Sequence, residues 1–364
     1  MRRLLCIAAL AVLSSAGCTE KQEKRPARQE PPQPTAAPLV WTELPELPNP
    51  LGFGGPFAGT SHGALIVAGG AHFPTSLFEG GEKVWVDTVF VLEPNEPAWL
   101  AGLTLPRPLA YGASISTRDG FHLLGGCDAE RCYAECMRLT WVNGKIETAP
   151  LPPLPKPCAM ASAALVGQTI YVAGGQDVVK PSAALKSFWA LDLSAAEPAW
   201  ETLKPCPGPA RLLPVAAGLG NSFYLFSGAE LVADREGNVR RRYLTDAWRY
   251  DRVTGWIPLA EMPRAAVAAP SPAMPFAGDT VLVFGGDDGQ YADRVQELKD
   301  QHPGFPRTIL AYDTVGDRWT EPGKAPVSHV TTPLVYWQGM HIIPSGEIRP
   351  GVRSPKVYGV RLAK

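Results

Sequence analysis

The chain has 364 residues and nearly balanced charge, with 34 Lys and Arg against 35 Asp and Glu. A net charge of −1 gives no basic footprint for nucleic acid or for an anionic membrane surface. Its 36 glycines and 38 prolines call for many tight turns, and no segment beyond residue 17 has the long apolar 3.6-residue period of a helix.

The first element is a targeting segment. Arg2 and Arg3 precede an apolar stretch, residues 4–13, too short to span a membrane as a mature helix. Residues 1–17 therefore read as a secretory signal. Ala16-Gly17-Cys18 resembles the end of a bacterial lipobox, which implies lipidation at Cys18, although Ser15 stands where that motif has Leu. Cleavage after Ala16 by the ordinary signal peptidase is the alternative. Residues 18–39 are rich in Pro, Glu, Lys and Gln and read as a disordered tether. Together these segments predict an exported protein of the periplasm or cell envelope, touching the membrane only through an N-terminal lipid.

From residue 40 onward one phrase repeats. A hydrophobic β run ends in two small residues and a polar loop, at Gly69-Gly70, Gly125-Gly126, Gly174-Gly175, Ser227-Gly228, Gly285-Gly286 and Ser345-Gly346, spaced 49 to 60 residues apart. A second repeat runs out of phase. Trp99, Trp200, Trp256 and Trp319 each lead toward a proline turn, with Trp141 a looser copy. About four short strands fall in each period, which is the pattern of propeller blades. At the C-terminus, 329–336, 340–344 and 357–362 supply three strands without a Trp strand. The Trp41-Thr42-Glu43-Leu44 run then completes the sixth blade against 357–360 and closes the ring. The glycine pair with its later Trp resembles the Kelch repeat, so residues 40–364 are expected to be an all-β, six-bladed Kelch-type propeller.

Such a ring gathers the loops after the glycine pairs at one funnel. They offer His72, Asp128, Gln176, Glu230, Asp287 and Glu347, and the proline turns add Arg107, Arg211 and Arg264, expected on the same face. Each acid taken singly also reads as a turn former. Arg240-Arg241-Arg242 reads either as a solvated loop or as an anion contact facing the funnel. Cys127, Cys132 and Cys136 lie within ten residues, and an oxidising compartment favours a local disulfide there, Cys127 with Cys132 first. Zinc would need a fourth ligand and better spacing. No metal or cofactor is called for.

The last loop, Ser345-Gly346-Glu347-Ile348-Arg349-Pro350-Gly351-Val352-Arg353, is similar to a segment of the bacterial N-acetylneuraminate epimerases, sialic acid mutarotases built on a six-bladed Kelch-type propeller. The resemblance puts Glu347 and Arg353 in the catalytic positions. Residues 55–59 and 65–73 resemble the blade that follows the catalytic one in that family, and 110–114 its final blade. The order implies a cyclically permuted branch. The chemistry agrees. Mutarotation needs a proton taken from an anomeric hydroxyl and another given to the ring oxygen, which a positioned carboxylate can begin. An arginine fork suits a carboxylate-bearing sugar. Arg349 and the loop residues named above are the remaining candidates for substrate contact, and His72, Glu230 and Asp287 for proton donation. Two other classes compete: a non-catalytic surface propeller that binds a glycan or a protein, and a copper radical oxidase. The six scattered histidines form no convincing copper set for the latter.

Overall fold

The structure is a computed structural model and describes residues 39–363. The expected signal segment, the tether and Cys18 lie outside the described residues, except that Leu39 already belongs to a strand. The six expected blades are present, each a four-stranded antiparallel sheet. Blade 1 is Phe57–Ser61, Ala64–Ala68, Thr88–Leu92 and Leu100–Thr104. Blades 2 to 5 repeat this order, and blade 6 is Val335–Trp337, Met340–Pro344 and Val357–Leu362 with Leu39–Leu44 outermost. Trp41 pairs with Val360 and Leu44 with Val357, so a strand from the chain's start closes the ring.

The second strand of each blade is the most apolar because both of its faces are covered. Ala64–Ala68 and Gly120–Leu124 are buried at every position. Six apolar clusters fill the six interfaces between blades. One joins Phe57 and Ile66 of blade 1 to Phe121 and Leu123 of blade 2. Another joins Ile342 and Val357 of blade 6 to Leu65 and Val67 of blade 1. The out-of-phase tryptophans pin neighbours together. Trp99, Trp200, Trp256 and Trp319 donate their indole N–H to the carbonyls of Pro45, Pro152, Lys204 and Ala260, each at the outer edge of the preceding blade, at 2.8–2.9 Å.

Two expectations need correction. The strand expected at 329–336 is only Val335–Trp337. Thr331 takes a φ of 53°, and Pro333 has no N–H to give a ladder. The arginines of the proline turns do not face the funnel but fasten loops and blades. Arg211 is buried and donates to the Pro209 and Ser227 carbonyls and to both Asp246 oxygens. Arg264 donates to the carbonyls of Ala265, Gly285 and Thr308. Arg107 covers the Tyr133 ring.

One further ring sits at the axis. Gly55, Tyr111, Met160, Leu213, Ala268 and Thr331, one at the inner end of each blade, all have φ between 53° and 64°. Each donates its N–H to the carbonyl of the equivalent residue one blade back, and Gly55 donates to Thr331, giving a closed circle of hydrogen bonds of 2.6–2.9 Å. The left-handed backbone is unfavourable for the five that are not glycine, and the circle holds it. It lines a small cavity of about 60 Å³ at the axis and forms the floor of the funnel.

Candidate active site

Above this floor lies a funnel of about 750 Å³, walled by blades 4, 5, 6 and 1. A hairpin of Ala229–Ala233 and Val239–Tyr243 rises from blade 4. A polar insertion with short helical turns, including Val295–Leu298, rises from blade 5. The hairpin Glu347–Arg349 and Val352–Arg353 rises from blade 6, and blade 1 adds the loop that carries Phe73, Leu77 and Lys83.

One rule of register decides which loop residues face the site. The residue directly after each small pair is held in an antiparallel bridge to the segment ahead of its blade: Ala71 to Gly54, Cys127 to Ala110, Gln176 to Ala159, Ala229 to Leu212, Asp287 to Val267 and Glu347 to Val330. Asp287 and Glu347 thus hold equivalent places in adjacent blades, and both line the funnel. His72, Asp128 and Glu230 stand one residue further on, and alternation turns them the other way. His72 packs on the Phe53 ring at 5.7 Å. Asp128 caps its own turn through the N–H groups of Glu130 and Arg131. Glu230 pairs with Arg242. Gln176 keeps the register, but its amide donates to the Val178 carbonyl at 2.9 Å. Arg349 reaches Asp300 of the blade 5 insertion at 3.5 Å.

Glu347 and Arg353 face each other across their hairpin. Gly346 lets the start of this hairpin pack against His329. Its φ is 124°, and a Cβ there would lie 2.8 Å from the His329 Cβ. Glu347 Oε1 accepts the Gly351 N–H at 2.8 Å, and Oε2 lies 3.4 Å from Arg353 Nη2. The Arg353 side chain is 3% exposed, and its Nε and Nη1 have no hydrogen-bond partner among the described residues. It lies over the Phe73 ring at 4.8 Å, beside Gly54. Burial works against its charge, but Glu347 and then Tyr111 outweigh that and raise its pKa above the ordinary value. The Tyr111 hydroxyl is likewise buried without a hydrogen-bond partner, and Lys83 Nζ sits 4.9 Å over its ring. Arg353, Lys83 and Tyr111 thus form a cationic, hydrogen-donating corner with unused capacity.

A second polar group lies on the blade 5 side. The Tyr243 hydroxyl donates to Asp287 Oδ2 at 2.9 Å, and the Gly289 N–H to Oδ1 at 3.0 Å. Burial pushes the Asp287 carboxyl above the usual carboxylate range, against these hydrogen bonds. Burial and the neighbouring Asp287 push the Tyr243 phenol up as well. Nothing in the sequence pattern singled out Lys83 or Tyr243, and Tyr111 stood only within the 110–114 resemblance, with no role assigned. Among the described residues no group of three or more His, Cys, Asp or Glu side chains is arranged to hold a metal ion.

A family model described as N-acetylneuraminate epimerase matches residues 151–302, from the end of blade 2 into blade 5. The chain is a Kelch-type propeller similar to the N-acetylneuraminate epimerases. The epimerase of Yersinia enterocolitica is 34% identical over 125 residues, which is 30% of this chain and 31% of that protein. The epimerase of Haemophilus influenzae is 27% identical over 231 residues, 57% of this chain and 58% of that protein. The matches thus span less than two thirds of these relatives. A solved structure titled "Structure of YjhT" shares the fold, with a TM-score of 0.62 and 14% identity over 85% of this chain and 95% of that one. The family match lies in blades 3 to 5, outside the segments of blades 6, 1 and 2 that carry the motif resemblance. Similarity to the epimerases therefore reaches further along the chain than those segments.

Proposed function

We propose that this propeller interconverts the anomers of a sialic acid or a related carboxylate-bearing sugar by opening and reclosing its ring. The observation that carries the reading is the buried Arg353 guanidinium, with two nitrogens unpartnered and its third 3.4 Å from a carboxylate. A buried cation left partly unsatisfied is costly unless a ligand completes it. A sugar carboxylate beside an anomeric carbon meets that need. Seated on Arg353 with Lys83 and Tyr111, it brings the anomeric hydroxyl to Glu347.

Glu347 then accepts the anomeric proton as the bond from the anomeric carbon to the ring oxygen breaks. The ring oxygen takes a proton from the Asp287–Tyr243 pair, whose carboxyl is biased toward the neutral form by burial. Rotation about the freed carbon exposes its other face, and the same groups act in reverse to close the ring. The balance is one proton out and one proton in, with no oxidant and no cofactor.

One observation favours the competing reading of a binding propeller. Glu347 also clasps its own turn through the Gly351 N–H, a structural use that needs no catalysis. Proton NMR of a freshly dissolved single anomer of sialic acid, with and without protein, separates the two. Acceleration by the protein, cut roughly 10²-fold in Asp287→Asn and Tyr243→Phe, supports the enzyme and its donor. Binding without acceleration supports the module.

A further inference from the structure

Beside the funnel floor, blade 2 carries a cysteine pair that the proposed reaction does not use. Cys127 and Cys132 face each other in an antiparallel bridge across a four-residue turn. The hydrogen bonds flanking them fix the type of pair. Asp128 N–H donates to the Arg131 carbonyl at 3.1 Å and Tyr133 N–H to the Gly126 carbonyl at 2.8 Å, while Cys127 spends its own N–H and C=O on Ala110. This is a non-hydrogen-bonded pair, in which opposed Cα atoms approach to about 4.5 Å with side chains on one face. A disulfide spans Cα separations of roughly 4.4–6.8 Å.

The alternatives are placed elsewhere. Cys136 and Cys158 pack into the interface of blades 2 and 3, and their thiols donate to the Ala134 and Gly174 carbonyls at 3.6 Å. Cys127 and Cys132 instead share a separate cluster with Tyr111, Trp85 and Met160. Contact with the Cys132 thiol lowers the Cys127 pKa, whereas the Cys132 thiol is pushed up.

We propose that Cys127 and Cys132 form a cross-strand disulfide that locks the blade 2 turn against the floor of the funnel. The oxidant class is a disulfide, for which glutathione disulfide serves as probe. The Cys127 thiolate attacks one of its sulfurs and releases a glutathione thiolate, giving a mixed disulfide. The Cys132 thiolate then attacks the Cys127 sulfur and releases the second glutathione. Two protein thiols lose two protons and two electrons, and one disulfide is reduced to two thiols. Burial of both residues places the exchange during folding.

The test is independent of any activity. The full chain is refolded in a glutathione redox buffer, its free thiols are blocked with N-ethylmaleimide in denaturant, and it is digested with trypsin without reduction. Cleavage after Arg131 separates the two cysteines, so peptides 119–131 and 132–138 stay joined only through a disulfide. The expected result is one linked pair of these peptides, retained in Cys136→Ser and absent from Cys132→Ser. Full alkylation of Cys127 and Cys132 in the refolded protein overturns the proposal. So does a link that survives Cys132→Ser and vanishes in Cys136→Ser.

Discussion

Arg211 and Arg353 are buried to the same degree, with side chains 2% and 3% exposed, yet their surroundings predict unequal costs of removal. Every guanidinium nitrogen of Arg211 has a partner, including a two-point pair with Asp246 at 2.9 and 2.5 Å. Arg211→Met leaves the Ser227 carbonyl and the Asp246 carboxylate without it. Breaking a buried pair from one side costs about 3–5 kcal/mol, and the 23% exposure of Asp246 sets the low end, about 3. Arg353→Met loses one long ion pair at 3.4 Å, after which Glu347, 16% exposed, keeps the Gly351 N–H as its partner, and a ring contact worth about 1 kcal/mol, which methionine partly restores. It also removes two buried donors that have no partner, a relief of similar size. Arg353→Met should therefore stay within about 1 kcal/mol of wild type. Urea unfolding followed by tryptophan fluorescence reads the difference. At a slope of about 3 kcal/mol/M the Arg211→Met midpoint falls by about 1 M and the Arg353→Met midpoint hardly moves. Equal losses would refute the reasoning, because Arg353 would then be a fastener like Arg211.

Three further outcomes follow from particular residues. Burial holds the His329 pKa down to about 4, below its ordinary 6.5. The unfolded chain therefore takes up this proton first, and stability present above pH 6.5 is lost as pH falls toward 4, by about 3 kcal/mol from this residue. Urea midpoints measured across that window should be flatter in His329→Phe, and an unchanged slope contradicts the assignment. Gly346→Ala puts a Cβ 2.8 Å from His329 at a φ of 124°, so it should lower stability by about 1–3 kcal/mol and slow anomer exchange, both measured on one preparation. Cys18→Ala should abolish partitioning into a detergent phase, and unchanged partitioning removes the lipid assignment.

The ring was legible in the sequence because each of its recurring parts has a local cause. The small pair supplies the positive φ that turns the chain at the funnel, and the tryptophans supply the donors that pin successive blades. The hairpin of Glu347 and Arg353 was legible because one continuous segment builds it. The rest of the funnel was not, for two reasons. A side chain's direction after a glycine pair turns on a shift of one residue, which separates Asp287 from His72, Asp128 and Glu230. Tyr111, Lys83 and Tyr243 come from unrelated loops and meet only when the circle of blades closes. The proline-turn arginines show the same limit from the other side, since an arginine that saturates carbonyls looks in sequence like one that awaits an anion.

The most direct measurement is the rate of anomer exchange of a sialic acid by proton NMR, with wild type and with Glu347→Gln at concentrations that saturate binding. Glutamine keeps the size of the side chain and removes the base. Wild type should exceed the buffer rate at least tenfold, and Glu347→Gln should return to the buffer rate while the sugar's signals still show it bound. No acceleration by wild type with any sialic acid, or a Glu347→Gln variant as fast as wild type, would contradict the account.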